Sequence, residues 1–290
     1  MPSRSWTLRT RKLDLVGLPR LMGIVNVTPD SFSDGNAFFD AERAIEQALR
    51  LADEGADILD IGGESTRPYA TPVEQAEEWR RVGRVVAEVC RRTTVPVSID
   101  TYKSCVARAA LDAGAEIVND VTGLEGDPQM LDVVREYRPG VCAMHMRGTP
   151  QTMQDDPRYH DVVAEIHGYL QARFASLVAA GVPAETICLD PGIGFGKTHE
   201  HNFELVRSAR RFLDLPAPIL VGHSRKGFIA KAMASKERDR TAGTLGASLA
   251  LAAAGIPILR VHDVQATRDA LAVFAACGGL GAVTFGGQAT

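Results

Sequence analysis

The chain has 290 residues, 45% of them hydrophobic and 23% charged, with a formal net charge of −4 at neutral pH. That length allows one large domain or two small ones, the mix excludes disordered and fibrous classes, and the weak negative charge offers no basic field for a nucleic-acid backbone. Five cysteines, Cys90, Cys105, Cys142, Cys188 and Cys277, are scattered and never spaced as CxxC, which reads as small buried hydrophobes kept reduced in a cytoplasmic protein.

Residues 1–20 carry positive charge near the start without an apolar stretch behind it, so they read as an N-terminal extension packing on the domain that follows rather than as a signal peptide. A β-branched, apolar run over 21–27 then predicts a strand ending near Asn26. The polar loop after it, Asn26 to Gly35, carries one aromatic, Phe32, and reads either as a flap closing over a ligand or as a surface turn made by Pro29 and Gly35. Asp40 is the expected cap of a helix whose apolar side is Ala44, Ile45, Ala48, Leu49 and Leu51 and which ends at Gly55. A second strand, 56–62, runs into Gly62-Gly63-Glu64-Ser65-Thr66-Arg67-Pro68, where flexible glycines precede an Arg suited to gripping an oxyanion or simply solvated.

Strands over 95–101 and 116–121 bring Asp100 and Asn119 to their ends, and Asp127-Pro128 is the expected N-cap and first turn of a helix with Met130, Leu131, Val133 and Val134. The strand over 140–146 carries Met144 and His145, the latter expected to be a hydrogen-bonded structural residue. A sixth strand, 186–190, ends in Asp190 and the Gly-rich run up to Thr198. Its Gly196-Lys197-Thr198 end imitates a P-loop but has Pro191 where the motif needs glycine, so Phe195 is either a stacking platform for a planar ring or a core residue of a turn. His199 and His201 start the next predicted helix and diverge in direction, a weak basis for zinc. The strand over 218–223 is followed by Ser224-Arg225-Lys226-Gly227 at a helix start, where Lys226 reads as a charge donor ahead of a Schiff-base lysine. Leu245 to Leu259, the most apolar stretch, is too short to span a bilayer and is broken by Gly246, Gly255 and Pro257; no membrane partner is expected. The last strand, 258–262, puts Arg260 and His262 on one side, either as a diphosphate cradle or as an ion-pair device with Asp263.

Eight such strand-then-helix units without a break in composition predict one catalytic domain over 21–280, a closed (β/α)₈ TIM barrel, with a tail over 281–290. An open Rossmann-like sheet is the other architecture, and it needs a GxGxxG fingerprint that the first turn lacks. In a barrel the site belongs at the C-terminal ends of the strands, where the polar residues above fall. Asp100 and Asp190 with Asn119 suit an aminated, amide-bearing heterocycle; a hard-metal site and strand-end capping are the competing readings.

Taken in order, the segments 22–35, 60–68, 98–101, 119–120, 144–153, 190–198, 224–226 and 260–264 resemble the motif series of dihydropteroate synthases, over nearly the whole chain. The resemblance implies a (β/α)₈ barrel, Mg²⁺, and condensation of 6-hydroxymethyl-7,8-dihydropterin pyrophosphate with p-aminobenzoate. It also implies a homodimer. By matching positions, Asp100, Asn119, Asp190 and Lys226 would bind the pterin, with Met144, Phe195 and Gly222 lining its slot. Asn26 would hold the metal and diphosphate, and Arg67, Arg260 and His262 would neutralise the leaving group. Phe32, Thr66, Arg67, Pro68, Lys226 and Gly227 would shape the p-aminobenzoate end, and Asp34 would face the developing cation as a catalytic residue beside Lys226, Arg260 and His262. Two departures stand out: Gly227 replaces the Ser of many members, which leaves sulfonamide sensitivity open, and Asn36 replaces a glycine. A corrinoid-linked pterin-binding methyltransferase barrel and an inactive pterin-binding paralogue are the alternative functions.

Overall fold

The computed structural model describes residues 4–28 and 37–280, residues 37–40 by backbone alone. Two short strands, β1 (Ser5–Thr7) and β2 (Lys12–Asp14), pair antiparallel as a hairpin ahead of the barrel. The alternation then runs β3 (Arg20–Asn26), α1 (Ala37–Asp53), β4 (Ile58–Gly62), α2 (Gln75–Arg92), β5 (Val97–Asp100), α3 (Ser104–Asp112), β6 (Ile117–Asp120) and α4 (Met130–Tyr137). It continues β7 (Gly140–Met144), α5 (Val162–Ala179), β8 (Ile187–Asp190), α6 (His199–Arg207), β9 (Leu220–Val221), α7 (Gly227–Ala232), α8 (Thr241–Ala253), β10 (Ile258–Val261) and α9 (Val264–Ala276).

The sheet order β8-β7-β6-β5-β4-β3-β10-β9 is parallel throughout, and a bridge from Leu189 to Ile219 joins its two edges. The result is the expected (β/α)₈ barrel. All eight predicted strands are present. The seventh is the shortest, because Pro218 has no N–H to give the ladder and only its carbonyl pairs, accepting from Leu189 N at 2.9 Å.

Two helix starts differ from expectation. Helix α1 begins at Ala37, so Asp40 lies inside its first turn instead of capping it. Helix α4 begins at Met130 with Gln129 as its cap, and Asp127 serves two helices at once: its Oδ1 accepts from Gln129 N at 2.9 Å and its Oδ2 from Ser104 N, the first residue of α3, at 2.8 Å. A carboxylate near two helix starts satisfies whichever orphan N–H the packing brings within reach.

Helices and strands enclose one apolar shell, and a second cluster fills the barrel itself. In that inner cluster Trp6, Leu8 and Leu15 from the N-terminal segment meet Met22, Ile58, Ile117, Cys142, Cys188, Leu220 and Ile258 from the strands. Trp6 is wholly buried, and its Nε1 donates to Thr186 O at 2.7 Å, so the hairpin plugs the N-terminal end of the barrel. Cys142 and Cys188 behave as the expected buried hydrophobes, whereas Cys105 and Cys277 are exposed. No helix of the described residues is long and apolar enough to cross a membrane.

Candidate active site

Strand side chains alternate with a period of two, so the residues two positions beyond the plug face the same interior. From the inner cluster this step leads from Ile58 to Asp60, Ile117 to Asn119, Cys142 to Met144, Cys188 to Asp190, Leu220 to Gly222 and Ile258 to Arg260. The barrel therefore changes from apolar to polar within one layer, toward the C-terminal mouth.

That layer is a connected network. Arg260 donates through Nε to Asp60 Oδ2 at 2.5 Å and through Nη2 to Asp100 Oδ2 at 2.6 Å. Asn119 Nδ2 donates to the same Asp60 oxygen at 3.1 Å. Across the layer, Asp190 Oδ1 accepts from Gly192 N at 2.7 Å. Gly222 leaves room between these walls, since a Cβ there would meet only Arg260 and Asp190 atoms at 3.7 Å or more.

Burial dominates the titration of these groups. It outweighs the nearby Arg260 and, helped by Asp60, Glu78 and Asp120, pushes the Asp100 carboxyl up to about 7. Burial likewise raises Asp190 against the pull of Lys226, and lowers Lys226 itself to about 8.

The Gly-rich loop after β8 is shaped by close backbone approach. Gly192 and Gly196 both have positive φ, and a Cβ on them would stand 2.0 Å from His145 O and 2.4 Å from Arg147 O. Lys197 is buried at 2% exposure, and its Nζ bonds Phe195 O at 2.8 Å and His145 Nδ1 at 3.0 Å. It is thus a tether for the loop, not a phosphate-binding lysine. Thr198 and His201 cap α6 reciprocally, at 3.1 and 3.2 Å, which accounts for one of the two paired histidines. Phe195 is half-buried with Lys226 Nζ 4.5 Å above its ring centroid, and Lys226 also donates to Ile193 O.

At the cationic side, His262 Nδ1 lies 3.0 Å from Ser224 Oγ. Burial, then Arg260, Arg225, Arg67 and Lys226, depress its imidazole to about 3. The expected pair of cations is therefore one cation and a neutral imidazole at neutral pH. Asp263 pairs with Arg225, at 2.6 and 3.1 Å, and not with Arg260.

Exposed Arg67 and Pro68 border a groove of about 550 Å³ beside the mouth, shared with Thr28, Ser65, Tyr69, Glu74 and Arg81. Thr66 is half-buried in the same loop. Asn26 ends β3, half-buried, and its side chain makes no hydrogen bond within the described residues. Gly227 faces His199, whose Cε1 would be 3.0 Å from an added Cβ. Phe32 and Asp34 lie outside the described residues.

Sequence reasoning missed three members of this neighbourhood. Asp60 was detectable as a lone acid in the apolar run Ile58-Leu59-Asp60-Ile61, since a buried charge must find a partner. Lys197 was masked by its imitation of a P-loop. Lys103, which bridges Glu64 and buried Glu78 behind the Arg67 loop, sits in no motif.

A closed barrel whose strand ends converge on a buried, charged, glycine-floored layer defines a TIM-barrel enzyme acting on a small polar molecule. Residues 22–262 match the family described as pterin binding enzyme. The chain is 46% identical over 266 residues to the dihydropteroate synthase of Neisseria meningitidis serogroup B, covering 90% of this chain and 93% of that one. It is 42% identical to that of Escherichia coli K12, over 88% of this chain and 90% of the relative. Among solved structures, a Xanthomonas albilineans dihydropteroate synthase with 4-aminobenzoic acid superposes with a TM-score of 0.88 at 46% identity, covering 95% of this chain and 98% of that one. A complex of the Xanthomonas albilineans enzyme with 7,8-dihydropteroate gives 0.85 at 43% identity, covering 94% and 98%. The chain belongs to the pterin-binding enzyme family, and within it to the dihydropteroate synthases.

Proposed function

We propose that this chain joins 6-hydroxymethyl-7,8-dihydropterin pyrophosphate to p-aminobenzoate, releasing pyrophosphate and forming 7,8-dihydropteroate. The observation that carries this is the inner layer itself: Asp100, Asn119 and Asp190 present acceptors and an amide around a glycine floor, with Arg260, His262 and Arg67 clustered at one side. The donor edge of an aminopterin matches the carboxylates, and its mixed edge matches the amide.

In this assignment the pterin lies over Gly222 between Met144 and Phe195, with Lys226 at its rim. The diphosphate lies toward Asn26, Arg67, Arg260 and His262. The p-aminobenzoate lies toward the groove by Thr66, Arg67 and Pro68, and the resemblance assigns Phe32 and Gly227 to the same substrate. The C–O bond to the diphosphate breaks as negative charge gathers on the departing group beside Arg260. The aniline nitrogen bonds the pterin methylene carbon and loses its proton, and the role the resemblance gives Asp34 is to stabilise that carbon while it is electron-poor. No enzyme nucleophile is needed.

Asn26 fits Mg²⁺ by its chemistry: its amide oxygen, at a strand end, would be a hard ligand of the kind that ion takes. When bound, the ion neutralises charge on the diphosphate. Two further assignments accompany these. The exposed small-residue stripe Ala242, Gly246, Ala250 and Ala253 on α8 supports a homodimer, and the scattered, unpaired cysteines support a cytoplasmic site of action.

The test is release of pyrophosphate that requires both substrates and is abolished by chelation of divalent metal. Release independent of p-aminobenzoate would sink the synthase assignment.

A further inference from the structure

We propose that Asp60 is a positioning residue for this reaction: from beneath the pterin slot it holds Arg260 in place and fixes the direction in which Asn119 presents its amide. The inference rests on the synthase reading above. Asp60 occupies the middle of β4, wholly buried, between Leu59 and Ile61 of the outer shell. One of its oxygens, Oδ2, takes both Arg260 Nε at 2.5 Å and Asn119 Nδ2 at 3.1 Å. The other, Oδ1, is buried and has no partner among the described residues.

A carboxylate that leaves one buried oxygen unpaired is a poor device for folding alone. Its register neighbour on β3 is the apolar Ile24, which shows that the barrel can fill this layer without charge. What Asp60 does alter is the behaviour of the two residues it touches. An amide can exchange its donor and acceptor by turning over, but turning Asn119 would set its oxygen against the Asp60 carboxylate. Asn119 therefore spends one N–H on Asp60 and offers its oxygen toward the slot.

Arg260 is held at two points, Nε on Asp60 and Nη2 on Asp100. A ligand that engages Asp100 with its own N–H groups takes one of those points away. Asp60 then keeps the plane of the guanidinium fixed, with its remaining N–H groups directed at the leaving group. Fixed donors at the place where charge develops need no reorganisation during the reaction.

The decisive variant is Asp60→Asn, nearly identical in shape and without the charge, with folding checked by its melting curve. The kcat should fall about 100-fold while the KM for p-aminobenzoate stays within about two-fold, as for a misplaced catalytic group. The acid limb of the pterin-binding profile should also move to lower pH. The charged groups acting on Asp100 are Asp60 on β4, Arg260 on β10, Asp120 on β6, Glu78 on α2 and Lys226 ahead of α7, and Asp60 is one of those that raise it. A lower melting temperature with unchanged kcat and an unmoved acid limb would overturn the proposal. If the variant does not fold, a crystal structure of the unaltered chain with the pterin pyrophosphate decides: Arg260 Nε still on Asp60 supports the role, and Arg260 detached from it refutes it. The unaltered enzyme assayed in parallel separates the two readings. Its failure to release pyrophosphate in a p-aminobenzoate-dependent way removes the synthase assignment, whereas a normal enzyme beside an unchanged variant removes only the role of Asp60.

Discussion

Gly192→Ala tests how the loop after β8 is held. Gly192 has φ of +68°, and an added Cβ would sit 2.0 Å from the carbonyl oxygen of His145. The left-handed conformation alone costs an alanine about 1–2 kcal/mol. The overlap is with backbone, which cannot swing aside as a side chain does, so residues 191–194 must move away from β7. Movement breaks the 2.7 Å bond from Gly192 N to Asp190 Oδ1, and a hydrogen bond to a charged group contributes about 1.5–3 kcal/mol. The expected destabilisation is therefore about 2.5–5 kcal/mol, accompanied by a raised KM for the pterin substrate because both Asp190 and Phe195 shift. Urea unfolding gives the first quantity and steady-state kinetics the second. Gly194→Ala is the control: its Cβ would meet only the flexible Lys226 side chain, at 3.1 Å, so it should cost less stability. If Gly192→Ala unfolds at the same urea concentration as the parent and keeps its KM, the claim that backbone approach shapes this loop is wrong.

Two further outcomes follow from the plug and the cationic rim. Trp6→Ala should destabilise the fold by about 3–5 kcal/mol, since it empties a wholly buried site and leaves the Thr186 carbonyl unpaired, yet should leave both KM values unchanged. Denaturant melts and kinetics on the same preparation check it, and a changed KM would mean that the two ends of the barrel are coupled. His262 is neutral above about pH 3 in the free chain, and a bound diphosphate favours the imidazolium, so the complex takes up a proton. Pyrophosphate affinity should then rise, relative to that of His262→Asn, as pH falls from 6 toward 4, the range just above the free value of about 3, measured by calorimetry. Equal slopes would remove His262 as a charged contact of the diphosphate.

Most of the fold was legible because its strands are buried on both faces and read as apolar runs, and because eight of them recur with helices between. The strand ends gave Asp100, Asn119, Asp190, Lys226 and Arg260 for the same reason: polar residues closing an apolar run have few places to go in a barrel. What pairs with what was not legible. Arg260 read as a diphosphate cation or as a partner of Asp263, because its actual partners, Asp60 and Asp100, lie 200 and 160 residues away in the chain. His262 looked cationic because a residue's charge depends on its burial and its neighbours, which strand periodicity does not reveal. Asp127 shows the same limit at small scale: the local rule gave it the helix that follows, and packing gave its second oxygen to α3.

The buried acids make a last outcome of opposite sign to that of His262. Burial, with Asp60, Glu78 and Asp120, holds the Asp100 carboxyl near pH 7, so at that pH about half of the free molecules carry its proton. A pterin that donates N–H groups needs the ionised form, and binding must expel the proton. A group raised in the free chain and ionised in the complex weakens binding as pH falls through its free value, by up to about 1.4 kcal/mol for each pH unit. The diphosphate would confuse the measurement through His262, so the ligand of choice is 6-hydroxymethyl-7,8-dihydropterin without it. Calorimetry at pH 6.5 in two buffers of different ionisation enthalpy counts the protons directly. Release of about three-quarters of a proton, with affinity rising from pH 6 to 8, is the expected result. No release, or affinity independent of pH across that range, would show that Asp100 either stays protonated against the pterin or does not touch it.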